Sequence, residues 1–144
     1  MTRAGVLSTV DSLISGVTTP TFIAVYQGEP LQVPTTPIAA FWISSQTEDF
    51  QTLGDASTTL ELTIRAYWRQ QLSPNVRESI ELEIYDAIVG IKTALRGDAN
   101  LSGNCTDSNP GTATVGIEVV GGTPFRSLTV PFFVDVYGEE TITP

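Results

Sequence analysis

TTLELTIRAYW, residues 58–68, alternates apolar and polar side chains without interruption and decides the fold. Successive side chains of a β-strand point to opposite faces, so this pattern predicts a long strand with one buried and one polar face. A sheet with one solvated face is typically antiparallel. The predicted buried face holds Leu60, Leu62, Ile64, Ala66 and Trp68, and the predicted polar face holds Thr59, Glu61, Thr63, Arg65 and Tyr67.

A long helix is predicted soon after this strand. Ser73 is a suitable N-cap, Pro74 suits the first helical position, and Gly97 can end the helix. We expect its main apolar stripe to cover the apolar face of the sheet, because the stripe recurs at helical spacing. The stripe consists of Val76, Ile80, Ile84, Ala87, Ile88, Ile91 and Leu95.

The same helix carries a second apolar stripe, formed by Leu82, Tyr85 and Val89 and lying roughly opposite the first. A helix at the surface of a monomer should be polar on its outer side, so this stripe needs a partner. The partner is either the N-terminal helix of the same chain or a neighbouring copy. The sequence leaves both alternatives open and raises oligomerisation as a hypothesis.

The rest of the chain completes the predicted fold. Apolar residues at helical spacing predict a helix over residues 3–15. Strands are predicted at residues 21–27, 38–44, 113–120 and 127–137. Pro131 lacks a ladder donor, which favours an edge or a bulge for the last strand. With no repeat or linker, we expect one α+β domain over residues 1–144: a four- to five-stranded mostly antiparallel sheet with two helices packed on one face.

A polar span of about a dozen residues, 45–57, separates the second and third predicted strands. Connections of this length are uncommon in compact domains and are often functional. We interpret the span as a hairpin arm that joins the two strands. Phe50 and Leu53 are apolar residues on this polar arm, which indicates a contact surface. The alternative is a loose connection without a partner.

Composition argues against an enzyme and against nonspecific binding to nucleic acid. Sixteen acidic and seven basic residues give a formal net charge of −9, which disfavours nonspecific binding to phosphate backbones and to anionic lipid. Histidine is absent, so the usual Ser/His and Cys/His nucleophile arrangements are excluded. Adjacent acids such as Glu48 and Asp49 are typical of solvated surfaces. We predict no catalytic residue, cofactor or membrane span, and assembly in a cytosol.

Residues 98–104, DANLSGN, match the first half of a calcium-binding loop. The second half fails, because Asn109 stands where a bidentate glutamate is needed and Pro110 blocks an exiting helix. We therefore interpret the segment as an Asx-rich turn after a helix and predict no metal site. Residues 100–111 form a second long polar loop. Its Cys105, the one cysteine of the chain, is interpreted as an unreactive thiol.

The order of these segments resembles the tail terminator proteins of long-tailed, siphophage-type bacteriophages. The resemblance covers most of the chain: a short N-terminal helix, a strand ending in VYQGEP (residues 25–30), the polar arm, the alternating strand with Trp68, the Ser73-Pro74 helix ending in ALRG (residues 94–97), and a C-terminal strand PFFVDVY (residues 131–137). The family has no catalytic signature, so it supplies no functional residues to transfer.

The resemblance implies a structural virion protein of the tail neck, assembled in the host cytoplasm. Such a subunit forms a hexameric ring that caps the tail tube, ends tube polymerisation and joins the tail to the head connector. The implied partners are further copies of the chain, the tail tube protein and the head-side connector protein. DNA passes through the lumen of the ring without specific binding, which suits an acidic chain.

The candidate sites come from the local patterns. We predict a subunit interface at Leu82, Tyr85 and Val89 and an arm, Phe50 with Leu53, that contacts the tube or a neighbouring subunit. Thr59, Glu61, Thr63 and Arg65 form a possible lumen face. Two other readings of the pattern stay open: another neck, tail-completion or tail-tube subunit, and a cytosolic ligand-binding domain with an apolar pocket.

Overall fold

The computed structural model describes residues 3–52, 55–70 and 73–137. Within them the chain forms two helices and one six-stranded sheet. In chain order the elements are α1 (Arg3–Ser15), β1 (Ala24–Gln27), β2 (Ile38–Thr52), β3 (Asp55–Arg69), α2 (Pro74–Arg96), β4 (Asp107–Pro110), β5 (Thr114–Val120) and β6 (Thr123–Tyr137). The predicted α+β class is confirmed, and both helices contact the sheet.

The alternating stretch lies at the centre of the sheet. β3 pairs antiparallel with β2 on one side and with β6 on the other, and the strand order is β1-β2-β3-β6-β4. β5 pairs with β6 on the same edge as β4, further back along β6. β1 is parallel to β2, which makes the sheet mixed.

The apolar face of β3 is buried as predicted. Its five inward residues, Leu60, Leu62, Ile64, Ala66 and Trp68, are all buried in one cluster beneath the two helices. α1 adds Val6, Val10 and Ile14 to this cluster, and α2 adds Ile84, Ala87, Ile91 and Leu95. Burial of these side chains is the main term that stabilises the fold.

The long polar loop predicted after α2 is partly a strand. Residues 107–110 form β4, which pairs with residues 132–135 of β6. The sequence DSNP lacks the apolar alternation that marks a strand, so this pairing depends on the neighbouring β6 rather than on local preference.

Pro131 lies in a strand that has neighbours on both sides, so the expected edge position is wrong. Its carbonyl accepts a hydrogen bond from Gly111 N (2.7 Å), and its nitrogen points the same way. That side of Pro131 faces the short connection between β4 and β5. The N–H group that Pro131 lacks would therefore point to the gap between β4 and β5, where no strand residue needs a hydrogen-bond donor from β6.

Candidate interaction surfaces

Helix α2 begins and ends where the sequence indicates, although its caps differ in detail. Ser73 is the N-cap with extended backbone and Pro74 occupies the first turn, but the Ser73 side chain makes no capping hydrogen bond. Gly97 ends the helix in a right-handed conformation, and its N–H donates to Thr93 O at 3.0 Å. Val76 of the main stripe stays exposed.

The second stripe of α2 faces away from the sheet and is exposed. Leu82, Tyr85 and Val89 have relative exposures of 63%, 66% and 52%. The segment that follows α1 reaches α2 on its flank at Gly90, where an added Cβ would lie 3.1 Å from Val17 Cγ1. The intrachain alternative is therefore wrong, since α1 leaves the stripe uncovered. An apolar row of this kind on a surface helix is typical of a protein contact.

The polar span between the second and third strands is a hairpin, as predicted. β2 runs on to Thr52 and β3 starts at Asp55, and the register pairs Asp49 with Ser57. Within the described residues, β6 pairs with β3 as far as Ser57, which lies opposite Tyr137. The hairpin therefore extends past the described part of β6.

The two apolar residues predicted on the arm are not tested by the structure. Phe50 pairs with Ala56 through the backbone, and its side chain lies outside what the structure describes. Leu53 lies outside the described residues. The arm itself is shown, and its contact residues stay a prediction.

The polar face of β3 is half-buried and internally bonded. Thr59 Oγ1 donates to Asp135 Oδ1 (2.8 Å), and Arg65 Nε donates to Thr129 Oγ1 (2.9 Å). The Arg65 guanidinium is also ion-paired with Glu118 (3.3 Å) and lies over the Trp42 ring, 5.4 Å from its centroid. The positive charge on this face is thus largely neutralised.

Tyr67 belongs to the same face but is buried, which the alternation did not predict. Its ring packs edge-on against Phe125, with centroids 6.3 Å apart, in a small second cluster with Ile38 and Ala40. Burial raises the pKa of the Tyr67 hydroxyl, and the nearby Arg65 offsets this in part. The unbroken apolar run in residues 38–43 was the signal for this second cluster, since it places apolar side chains on both faces of β2.

A second exposed apolar row lies on β5 and was missed by the sequence reasoning. Val115, Ile117 and Val119 have relative exposures of 38%, 54% and 67%. Val115 is directly opposite Leu128 of the main core, so the row points to the helix side of the sheet. The alternation in TVGIEVV was the available signal.

The calcium-like segment forms a self-bonded turn. Both carboxylate oxygens of Asp98 accept hydrogen bonds from Ser102, from its backbone N–H and its hydroxyl, each at 3.1 Å. Asn100 Oδ1 accepts from Gly103 N at 3.4 Å. These bonds join residues three and four positions apart, so the Asp98 and Asn100 side chains stabilise the turn that contains them. Over the described ranges, no group of three or more Cys, Asp or Glu side chains is placed to hold a metal ion.

Cys105 is buried beneath this turn. Its thiol donates to Ala99 O at 3.4 Å. Burial raises the pKa of the thiol to about 11, and Asp107, Asp98 and Asp135 add to the shift. A protonated and covered thiol is a poor nucleophile.

Open grooves lie on the described surface. One of about 440 Å³ lies between the first turns of α2 and the edge strand β5, and its lining includes Arg69, Arg77 and Arg126. Among the helices that the structure describes, none is long and apolar enough to cross a membrane.

No protein-family model matches the chain, and no curated protein sequence matches it significantly. The function is therefore inferred from the surfaces described above and from the order of the segments along the chain.

Proposed function

We propose that this chain is the tail terminator subunit of a long-tailed bacteriophage. Copies of it form a hexameric ring on the tail tube, stop the addition of further tube subunits and present the opposite face of the ring to the head-side connector. The observation that carries the proposal is the outer stripe of α2, which is apolar, exposed and left uncovered by the described part of its own chain.

The stripe has the composition of a protein interface. Tyrosine and large aliphatic residues are enriched in the buried centres of such contacts. Leu82, Tyr85 and Val89 follow one another along the helix, so a single partner surface can cover all three. A closed ring requires that this surface meets a different surface on the next subunit.

The acidic balance and the polar face of β3 suit a channel for DNA. A formal net charge of −9 repels phosphate, and the Arg65 charge on this face is already paired with Glu118. A lumen lined by Thr59, Glu61, Thr63 and Arg65 would let DNA slide without binding it. The arm then contacts the tail tube, beyond the end of the sheet.

The test is the double substitution Tyr85→Asp with Val89→Asp. Both side chains are exposed, so the monomer should fold as before, while two charges in the contact should raise the dissociation constant of the ring at least about 30-fold. Light scattering measures the mass, and electron microscopy with purified tail tubes shows whether the tubes are capped.

The matched control is Ser8→Asp with Ser12→Asp. It adds the same two charges, at the same spacing of four residues, to exposed positions of α1 that are not part of the stripe. We expect the control to form rings and cap tubes like the natural chain. Wild-type mass for the Tyr85/Val89 variant would contradict the interface. Open-ended polymers of the natural chain would instead indicate a tail-tube subunit, and a monomer inert to tubes would indicate a ligand-binding domain.

A further inference from the structure

The exposed stripe of α2 is the middle of a longer seam that has charged residues at both ends. Residues that recur at alternate spacings of four and three lie along one line of a helix, which is the pattern of a coiled-coil seam. Lys92 of this seam is half-buried, and its other members are exposed. The seam consists of Glu78, Leu82, Tyr85, Val89, Lys92 and Arg96.

The charges of the seam are separated by sign. Its first member, Glu78, is acidic, its last two, Lys92 and Arg96, are basic, and the apolar stripe lies between them. None of these three charged side chains forms an ion pair within the described ranges. The seam therefore suits a partner surface that carries an apolar middle and the same charges in the reverse order.

A second copy of α2 that runs antiparallel to the first is such a surface. The spacing of the seam, 4-3-4-3-4, reads the same in both directions, so every member of one seam falls level with a member of the other. Two-fold symmetry makes each facing pair occur twice. The facing pairs are Glu78 with Arg96, Leu82 with Lys92, and Tyr85 with Val89.

The chemistry of these pairs is matched only in the antiparallel direction. Glu78 meets the opposite charge of Arg96, and the aliphatic stem of Lys92 can cover Leu82. In a parallel pair each charged residue would instead lie beside the same residue of the other copy. Since like charges in contact are unfavourable, the charges of the seam select the antiparallel pair.

We propose that the free chain forms a two-fold dimer in which the α2 seams of two copies pack antiparallel. From Glu78 to Arg96 the seam is about 27 Å long, and a single helix seam of that length covers less than the roughly 800 Å² per partner of a standard interface. Asp86 is exposed beside the seam, one position from the symmetry axis, so it faces its own copy. We therefore expect a weak, reversible dimer with a dissociation constant in the micromolar range.

The consequence of this dimer for assembly rests on the proposed function. The dimer and the ring would cover the same stripe, so one copy cannot take part in both. Assembly of a six-membered ring depends more steeply on concentration than assembly of a pair. The dimer should therefore cover the stripe in dilute solution, and the ring should replace it at high concentration or on a tail tube.

The test exchanges the charges at the two ends of the seam in the full-length chain. Glu78→Arg alone and Arg96→Glu alone each place like charges in two facing pairs, so each should raise the dissociation constant of the dimer about tenfold. An equimolar mixture of the two variants regains opposite charges in both pairs of the heterodimer and should dimerise like the natural chain. Sedimentation velocity over a dilution series measures the mass. Positions 78 and 96 do not face each other in a head-to-tail contact, so only the antiparallel pair predicts this recovery.

Two further variants check the reading. A chain that carries both Glu78→Arg and Arg96→Glu should dimerise like the natural chain, and it repeats the test should a single variant fail to fold. The matched control is Glu29→Arg, which makes the same charge change at an exposed residue beside Arg65 and Tyr67 on the polar side of the sheet. It should leave the dissociation constant unchanged.

Asp86 gives a test in the opposite direction. Asp86→Asn removes the like charges beside the axis and should lower the dissociation constant about threefold, whereas Glu29→Gln should not change it. A dimer that Asp86→Asn weakens would contradict the antiparallel register.

The outcomes separate this inference from the proposed function. A natural chain that stays monomeric until rings form, or a mixture that dimerises no better than its single variants, would overturn the antiparallel dimer, and capped tubes would then leave the terminator function standing. A dimer that the mixture restores, without rings or capped tubes, would support the seam contact and overturn the terminator function.

Discussion

Gly111 lies where the chain passes from β4 to β5, beside the edge of β6, and its N–H donates to Pro131 O. A Cβ added there would lie 2.9 Å from Pro131 Cγ and 3.0 Å from Phe133 Cε2. The proline ring is rigid, so the backbone must move to admit a methyl group. We predict that Gly111→Ala lowers the free energy of unfolding by about 1–3 kcal/mol. Urea denaturation followed by circular dichroism measures the change.

Gly116→Ala is the matched control for this prediction. A Cβ at Gly116 meets no atom within 4 Å, and alanine reduces the conformational freedom of the unfolded chain. We expect unchanged or slightly increased stability. Equal losses for the two variants would show that the contact at Gly111 is not the cause.

Cys105 should be inert at mildly alkaline pH. Burial raises the pKa of its thiol from the usual value near 9.0 to about 11, so the folded chain holds the proton that the unfolded chain releases. The resulting stability is complete below about pH 9 and is lost as the pH rises toward about 11. At pH 9 we predict alkylation by iodoacetamide at least about tenfold slower in the native chain than in urea.

Mass spectrometry of the alkylated chain measures this rate. A chain that also carries Val119→Cys provides an exposed thiol in the same fold, and that thiol should react at the rate of a free cysteine. Fast alkylation of Cys105 in the native chain would contradict the buried, protonated state.

At the scale of the element, α2 has two apolar sides with different roles. Ile91 is fully buried against the sheet, whereas Leu82 is exposed on the outer stripe. We predict that Ile91→Ala lowers the free energy of unfolding by about 2–5 kcal/mol, and that Leu82→Ala changes it by less than about 0.5 kcal/mol. Urea denaturation at a concentration where the chain is monomeric tests both. A large loss for Leu82→Ala would mean that the stripe is covered within the chain.

The helices could be predicted closely because their signals are local. Residues 3–15 and the segment from Pro74 to Gly97 carry both the spacing and the end signals that a helix needs. The strands were predicted too short at the arm, since residues 45–52 are polar and their pairing depends on the hairpin partner. β4 was missed for the same reason: DSNP becomes a strand because β6 presents a free edge to it.

The candidate surfaces could be predicted in part. Helical spacing separated the outer stripe of α2 from the inner one, and only the fold could show that the segment after α1 contacts α2 at Gly90 and leaves the stripe exposed. The alternation of β5 was visible in the sequence. The exposure of this row could not be predicted, because whether a strand lies at an edge depends on pairings between distant residues.

At the scale of the molecule, the exposed apolar rows belong to different elements. One lies on the outer side of α2 and the other on the edge strand β5. Two unlike surfaces on one subunit are what a head-to-tail ring requires, whereas a two-fold dimer uses the same surface twice. The arm is a third element and extends past the described part of β6, so it can act separately from both rows.

Shortening the arm tests this separation. Asp49 and Ser57 are paired in the register, so replacing residues 50–56 by Asn-Gly leaves a two-residue hairpin turn between them. We predict that the shortened chain folds and forms rings of wild-type mass but caps few tail tubes, because the tube contact is lost. Electron microscopy scores rings and capped tubes in the same samples, and the natural chain is the control. Loss of rings would assign the arm to the neighbouring subunit, and normal capping would show that the arm contacts neither partner.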